Sequence, residues 1–173
     1  MVLSIFSSHL KSIHLLGVGK VGCAFLNILD KNKYKVTAIS DSKNMLQNMC
    51  GLNIAEILKL KEIKKKTLSF YRSEKDIYEL NSSTSSYEIC IDTTSTNLKN
   101  IAISFQRSQN ILKDGKFLIL STNDALFYGI DQLITEFPGK IGINAALSGT
   151  GNELIQNINK LRNECFAISI VGN

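Results

Sequence analysis

Apolar residues along the chain gather into short runs, and the spacing within each run shows what it forms. Ser12 to Leu16 is a strand-length run that breaks into Gly17, Gly19 and Gly22. Beyond the break Val21, Phe25, Ile28 and Leu29 recur at helical spacing, which predicts a strand, a glycine turn and a helix with one apolar stripe. Lys35 to Ser40 is a second strand-like run and ends at Asp41. Ser42 to Gly51 reads as a short polar helix stopped by Gly51. Asn53 and Glu56 then have capping-box spacing ahead of an apolar face of Ile54, Ile57, Leu58 and Leu60. From Thr67 to Ser86 the pattern weakens into the serine-rich Ser82 to Ser86, as expected of a surface loop.

Order resumes with a strand over Tyr87 to Asp92, a helix that Asn97 caps and Gly115 stops, and a strand over Lys116 to Ser121. The near-continuous apolarity of that last run fits a parallel strand covered on both faces. Ala125 to Phe137 is helical in pattern up to Pro138 and Gly139, and Lys140 to Ala145 makes one more strand. Strands alternating with helices predict an α/β fold, a doubly wound parallel sheet of Rossmann type in three αβα layers with right-handed crossovers.

The three glycines have the G-x-G-x-x-G spacing of a dinucleotide turn. The first permits a tight turn out of a strand, the second lets backbone approach a pyrophosphate, and the third lets the helix pack closely. An ordinary α/β turn uses glycines too, so the surroundings matter. Here a strand precedes the turn, a helix follows, and Asp41 stands nineteen residues after Gly22, where a carboxylate can accept from a ribose hydroxyl. Open parallel sheets bind ligands beyond the carboxyl ends of their strands, so the candidates are Gly17 to Gly22, Asp41 to Lys43, Thr93 to Thr96 and Ser121 to Asp124. For Thr93 to Thr96 helix capping is an equal alternative.

Composition narrows the function classes. With 173 residues, 44% of them apolar, the chain can bury one sizeable core. The net charge of +5 owes much to Lys59 to Lys66, where no aromatics interleave with the lysines, so it reads as a solvated helix face and not as a nucleic-acid surface. Cys23, Cys50, Cys90 and Cys165 are far apart and read as reduced, mostly buried thiols, with no metal-binding spacing among them. His9 and His14 have no partner motif, and His14 is expected as a satisfied strand histidine. No run has the length of a membrane span or the pattern of a signal peptide, so the expectation is a cytoplasmic protein with no membrane partner.

Five segments in order, GVGKVG, AISDSKNMLQNMCGLN, CIDTTST, LSTNDAL and INAALSGTGNELIQNI, resemble the NAD(P)-binding part of homoserine dehydrogenases. The AISDSKNMLQNMCGLN segment is most similar to the dehydrogenase half of fused aspartokinase–homoserine dehydrogenases. The resemblance runs from about Ile13 to Asn173 and implies hydride transfer between aspartate 4-semialdehyde and homoserine, in amino-acid biosynthesis towards threonine and methionine. It implies NAD or NADP as cofactor, with Gly17, Gly19, Lys20, Val21 and Gly22 at the phosphate turn. Asp41, Ser42 and Lys43 would stand at the adenosine ribose, Thr94 and Ser95 near the nicotinamide side, and Asn123 in a T-x-N-K-like motif. Asp41 favours NAD because its charge repels a 2′-phosphate, whereas Ser42 and Lys43 could bind that phosphate.

The chain also departs from the family. Asp124 stands where the family has the lysine placed for proton transfer, and an ionised carboxylate repels a developing alkoxide that an ammonium would stabilise. No catalytic residue is therefore assigned. Leu147 to Asn152 matches the V-G-x-G-x-P turn without its first glycine and its proline, and Ala167 to Asn173 resembles the first strand of the substrate domain. The expected division is a dinucleotide-binding domain over 1–152 and, over 153–173, a helix and first strand of a substrate or dimerisation domain that this chain does not carry. Either a separate substrate-domain chain or a homodimer would complete a homoserine dehydrogenase-type enzyme. The alternative is a non-catalytic NAD(P)-binding sensor or regulatory subunit from the same family.

Overall fold

Three wholly or nearly buried strands make the centre of the molecule: β1 (Lys11–Leu16), β5 (Ile89–Asp92) and β6 (Phe117–Leu120). The structure, a computed structural model, describes residues 10–63, 67–71, 77–78, 87–95, 99–121, 129–144 and 170–171. Within them α1 (Lys20–Ile28) follows β1, then come β2 (Tyr34–Ser40), β3 (Met45–Gln47), α2 (Ile54–Leu58) and β4 (Ile77–Tyr78). After β5 the chain continues through α3 (Ile101–Lys113), β6, α4 (Ile130–Glu136), β7 (Ile141–Asn144) and β8 (Ile170–Val171). The strands form one sheet in the order β4-β3-β2-β1-β5-β6-β7-β8. From β2 to β8 through the centre all neighbours are parallel.

Alternation along the strands divides the core between the two faces. Ile13, Leu15, Ile89, Ile91 and Ile119 pack with Phe25 and Leu26 of α1 and Ile57 of α2. Leu16, Cys90, Leu118 and Leu120 pack with Ile111 and Leu112 of α3 and Leu133 of α4. Each fully buried isoleucine or leucine contributes about 1.5–3 kcal/mol, so both layers of helices are held by the sheet and not by their own propensity. This is the doubly wound αβα architecture that the strand and helix pattern predicts.

Several local expectations are corrected. Ser42–Gly51 is not a helix: it turns back at Asp41 and forms β3, antiparallel to β2, with Leu46 buried opposite Ile39. The polar residues there serve the turn, since Asp41 N donates to Asn44 O at 2.8 Å and the Asp41 carboxylate accepts from the N–H groups of Lys43 and Asn44. The Thr67 to Ser86 stretch is described at 67–71 and 77–78, where it forms a short 3₁₀ turn at Leu68–Phe70 and β4 antiparallel to β3, and Ser82 to Ser86 lie outside the described residues. The sheet is thus parallel except at this edge.

The buried face of α1 is Gly22, Cys23, Phe25 and Leu26, with Ile28 exposed and Val21 half-buried, so the helix is rotated from the predicted stripe. Close packing at Gly22 sets that rotation. Asn53 does cap α2, accepting from Glu56 N, and α2 runs on into a π-helical turn at Lys59–Ile63. The helix before Gly115 is described from Ile101, with Asn100 at its cap position, and Asn97 lies outside the described residues. Cys23 and Cys90 are buried and free, but Cys50 is exposed.

Candidate functional site

The chain leaves β1 on one side towards β2 and returns to its other side at β5, so the strand order reverses between β1 and β5. Parallel sheets bind ligands at the carboxyl end of such a point, and Gly17 lies there. Gly17 has φ +86°, and a Cβ on it would stand 3.0 Å from Thr93 C and from Thr94 N. A side chain is excluded twice over, by conformation and by space. Its N–H donates to Ser40 O of β2 at 2.9 Å, while its carbonyl accepts from Thr93 Oγ1 at 2.7 Å. The turn is therefore gripped from the β2 side and from the β5 side.

The other two glycines differ from the first and from each other. A Cβ on Gly22 would overlap the Gly17 carbonyl oxygen, and Thr93 Oγ1 would be 3.1 Å away, so only glycine lets α1 lie this close to the turn. Gly19, at the N-cap of α1 with φ −87°, has no atom of the described residues within 4 Å of a Cβ position. Nothing among the described residues requires glycine there, and they leave the space in front of it open. α1 has no side-chain cap and no acidic residue in its first turn. Its N–H groups and the positive end of its dipole are available to an anion. Lys20 is exposed beside this space and Val21 is half-buried behind it.

At the tip of β2, Asp41 is held within the chain. Oδ1 accepts from Lys43 N and Asn44 N, both at 2.9 Å, and Oδ2 accepts from Leu68 N at 2.8 Å with Lys61 Nζ at 3.6 Å. Burial raises this carboxyl, but the N–H groups of Leu68, Lys43 and Asn44 and the Lys61 ammonium outweigh it and keep it below the usual carboxylate range. Ser42 and Lys43 are exposed next to it.

At the tip of β5 is a cluster that sequence patterns do not reveal. Asp92 is buried, and its Oδ2 accepts from Arg107 of α3 at 2.6 Å. Its Oδ1 accepts from Thr94 N at 2.9 Å and from the Thr94 hydroxyl at 2.6 Å, while Arg107 also donates to Thr94 Oγ1 at 3.0 Å. A carboxylate closing the apolar run Tyr87–Asp92 was the signal available, since a buried charge requires a cation. Ser95 is exposed just beyond.

His14, beneath this cluster, bonds Ser40 Oγ through Nε2 at 2.9 Å, and burial with the Arg107 charge holds its pKa down to about 4. It is a neutral core group, but only Nε2 is satisfied and Nδ1 has no partner among the described residues, where the sequence predicts a satisfied histidine. Burial likewise pushes the Cys90 thiol well up, which leaves it unreactive. Asn123 and Asp124 lie outside the described residues, as does Thr96. Among the described residues no group of His, Cys, Asp and Glu is placed to hold a metal, and no helix is long and apolar enough to cross a membrane.

The family model for Glutamate/Leucine/Phenylalanine/Valine dehydrogenase matches residues 4–97, more than half of the chain and the part that holds the glycine turn, Asp41 and Thr94. The chain belongs to this dehydrogenase family. No curated protein matches it in sequence.

Solved structures agree with the dehydrogenase family in fold. A hyperthermophilic archaeal homoserine dehydrogenase in complex with NADPH has a TM-score of 0.57 at 17% identity, over 72% of this chain and 40% of the other. Homoserine dehydrogenase from Thermoplasma acidophilum has 0.59 at 18% identity, over 78% and 42%. Plasmodium falciparum glutamate dehydrogenase 2 has 0.61 at 13% identity, over 88% and 34%. The chain spans between about a third and two fifths of the length of these structures. At such identities the likeness is one of fold, shared equally by homoserine and glutamate dehydrogenases.

Proposed function

We propose that this chain binds NAD or NADP across the β1/β5 switch point and is the cofactor domain of an oxidoreductase acting on an amino-acid-derived substrate. The observation that carries this reading is the contrast among the glycines. Gly17 and Gly22 are glycine because the protein itself fills the space of a side chain, whereas at Gly19 the described residues leave that space empty, at the N-terminus of α1, which has no side-chain cap. The free N–H groups and positive dipole end there suit a pyrophosphate by charge. Family membership supports the dehydrogenase part of the reading.

When bound, the nicotinamide supplies the hydride donor or acceptor. The chain's own residues hold the pyrophosphate at Gly17 to Gly22 and separate the two ends of the cofactor. The adenosine end faces the β2 tip, where Asp41 anchors the turn that carries Ser42 and Lys43. The nicotinamide end faces Thr94 and Ser95 at the β5 tip, with Asn123 assigned there by the resemblance alone.

For the substrate, aspartate 4-semialdehyde and homoserine are the reading supported by the five resembling segments. Oxidative deamination of an amino acid is the other reading, favoured by the family match over residues 4–97. Asp124 in place of the homoserine dehydrogenases' lysine removes the ammonium that would donate to the substrate oxygen, so this residue supports a chain that holds cofactor without supplying that acid. A regulatory NAD(P)-binding role is the alternative that this same residue favours.

Calorimetric titration with NAD and with NADP tests the binding. Saturable binding of at least one is expected, and no heat with either at millimolar concentration overturns the proposal. NAD(P)H formation is then followed with homoserine and with glutamate. The 173-residue chain is expected to turn over neither, and turnover of either would overturn the reading of Asp124 as a lost acid and show which substrate reading holds.

A further inference from the structure

The Asp92–Arg107–Thr94 cluster does more than fasten α3 to the sheet. The Thr94 hydroxyl gives its one proton to Asp92 Oδ1 at 2.6 Å and takes one from Arg107 at 3.0 Å. A hydroxyl has one donor and two acceptor positions, so what remains on Thr94 Oγ1 is a single lone pair. An ionised carboxylate cannot return the proton and a guanidinium cannot accept one, so the rotor is fixed. Thr94 is only half-buried, and its N–H lies 3.0 Å from where a Cβ on Gly17 would stand. The residue that carries this fixed acceptor thus adjoins the phosphate turn through its backbone, on the β5 side, the side opposite Ser40 and Asp41.

Resting on the dinucleotide reading above, we infer that Asp92 and Arg107 are positioning residues that make Thr94 an acceptor-only contact for a hydrogen-bond donor on the nicotinamide-nucleoside half of the cofactor. Two donors of that half share this chemistry, a ribose hydroxyl and the carboxamide NH₂. ADP has neither, and ADP-ribose has only the first. The pair touches no cofactor atom itself and acts through Thr94. A merely structural pair would influence all three ligands alike.

The experiment measures dissociation constants for NAD, ADP-ribose and ADP with wild type, Thr94→Ser, Thr94→Val and Arg107→Gln. Thr94→Val removes the acceptor while leaving the Asp92–Arg107 ion pair in place, so it tests the idea even if Arg107→Gln folds poorly. Thr94→Val and Arg107→Gln are expected to weaken NAD roughly five- to tenfold, the worth of about one hydrogen bond, with ADP changed less than about twofold. Thr94→Ser keeps the hydroxyl and stays near wild type. ADP-ribose behaving like NAD identifies the ribose donor, and behaving like ADP it identifies the carboxamide. Equal loss for NAD and ADP, no loss for either, or Thr94→Ser as weak as Thr94→Val overturns the inference. If wild type binds ADP but gains nothing from the nicotinamide half, the dinucleotide turn stands and this inference alone falls; if wild type binds none of the three, both fall.

Discussion

Lowering the pH should destabilise this protein through His14 before its carboxylates begin to titrate. The imidazole lies inside the α3 layer, edge-on to Tyr87 with ring centroids 5.0 Å apart, and Nδ1 has no partner among the described residues. Protonation would bury a cation near the Arg107 guanidinium. Burial first and that charge second hold the folded pKa at about 4, against 6.5 for a free histidine. Between those values the unfolded chain binds a proton that the folded chain refuses, so stability falls as pH drops from about 6.5 towards 4. At ~1.4 kcal/mol per pH unit the gap corresponds to about 3 kcal/mol, a substantial part of the stability of a domain this size. The assay is urea unfolding of wild type and His14→Gln between pH 7.5 and 4.5. Glutamine can still bond Ser40 Oγ and does not titrate, while the carboxylates contribute to both proteins. Over this window, which stops short of the folded pKa, the wild-type curve should fall by about 2.5 kcal/mol more than that of the variant. Parallel curves would show that His14 is not buried neutral, and the packing described around it would be wrong.

Asp41→Ala should cost about 3 kcal/mol in urea unfolding, because it removes the charged acceptor of the Lys43, Asn44 and Leu68 N–H groups; a loss under about 0.5 kcal/mol would mean the turn does not depend on it. The same lowered carboxyl means that the Asp41 contribution is complete above a pH of about 4 and disappears as pH falls through the lower folded value, so the acid limb of wild type should be steeper than that of Asp41→Asn. Gly22→Ala should destabilise by about 1–3 kcal/mol, since its Cβ meets the Gly17 carbonyl oxygen and α1 must move; an unchanged thermal midpoint would contradict the packing.

Much of this arrangement was legible where the determinant is local. The strand, turn and helix at Ser12–Leu29 follow from glycine spacing and apolar run length, and the succession of later strands follows from their near-continuous apolarity. What was illegible depends on contacts between distant residues. Ser42–Gly51 has helix-like polarity, but its course is decided by the Asp41 side chain bonding to backbone two and three residues ahead and to Leu68, across 27 positions. The rotation of α1 is decided by contact between Gly22 and the Gly17 carbonyl, which no hydrophobic stripe records. Asp92 and Arg107 are 15 residues apart on different elements, so no motif joins them. Thr93 was expected among residues that reach a ligand, but its hydroxyl instead fastens the turn, donating towards Leu16 O and Gly17 O.

Cofactor binding at this turn depends most directly on Gly19, and the decisive measurement is the affinity of Gly19→Val for NAD and NADP beside that of wild type, with thermal unfolding of both. With φ −87° and no atom of the described residues within 4 Å of a Cβ position, the position accepts a side chain without backbone strain. The variant should therefore melt like wild type, within about 1 kcal/mol. Its side chain would occupy the space assigned to the pyrophosphate, so cofactor affinity should fall at least about a hundredfold, the equivalent of ~3 kcal/mol. A Gly19→Val protein that folds normally and binds NAD(P) as tightly as wild type would contradict the assignment of this turn as the cofactor site.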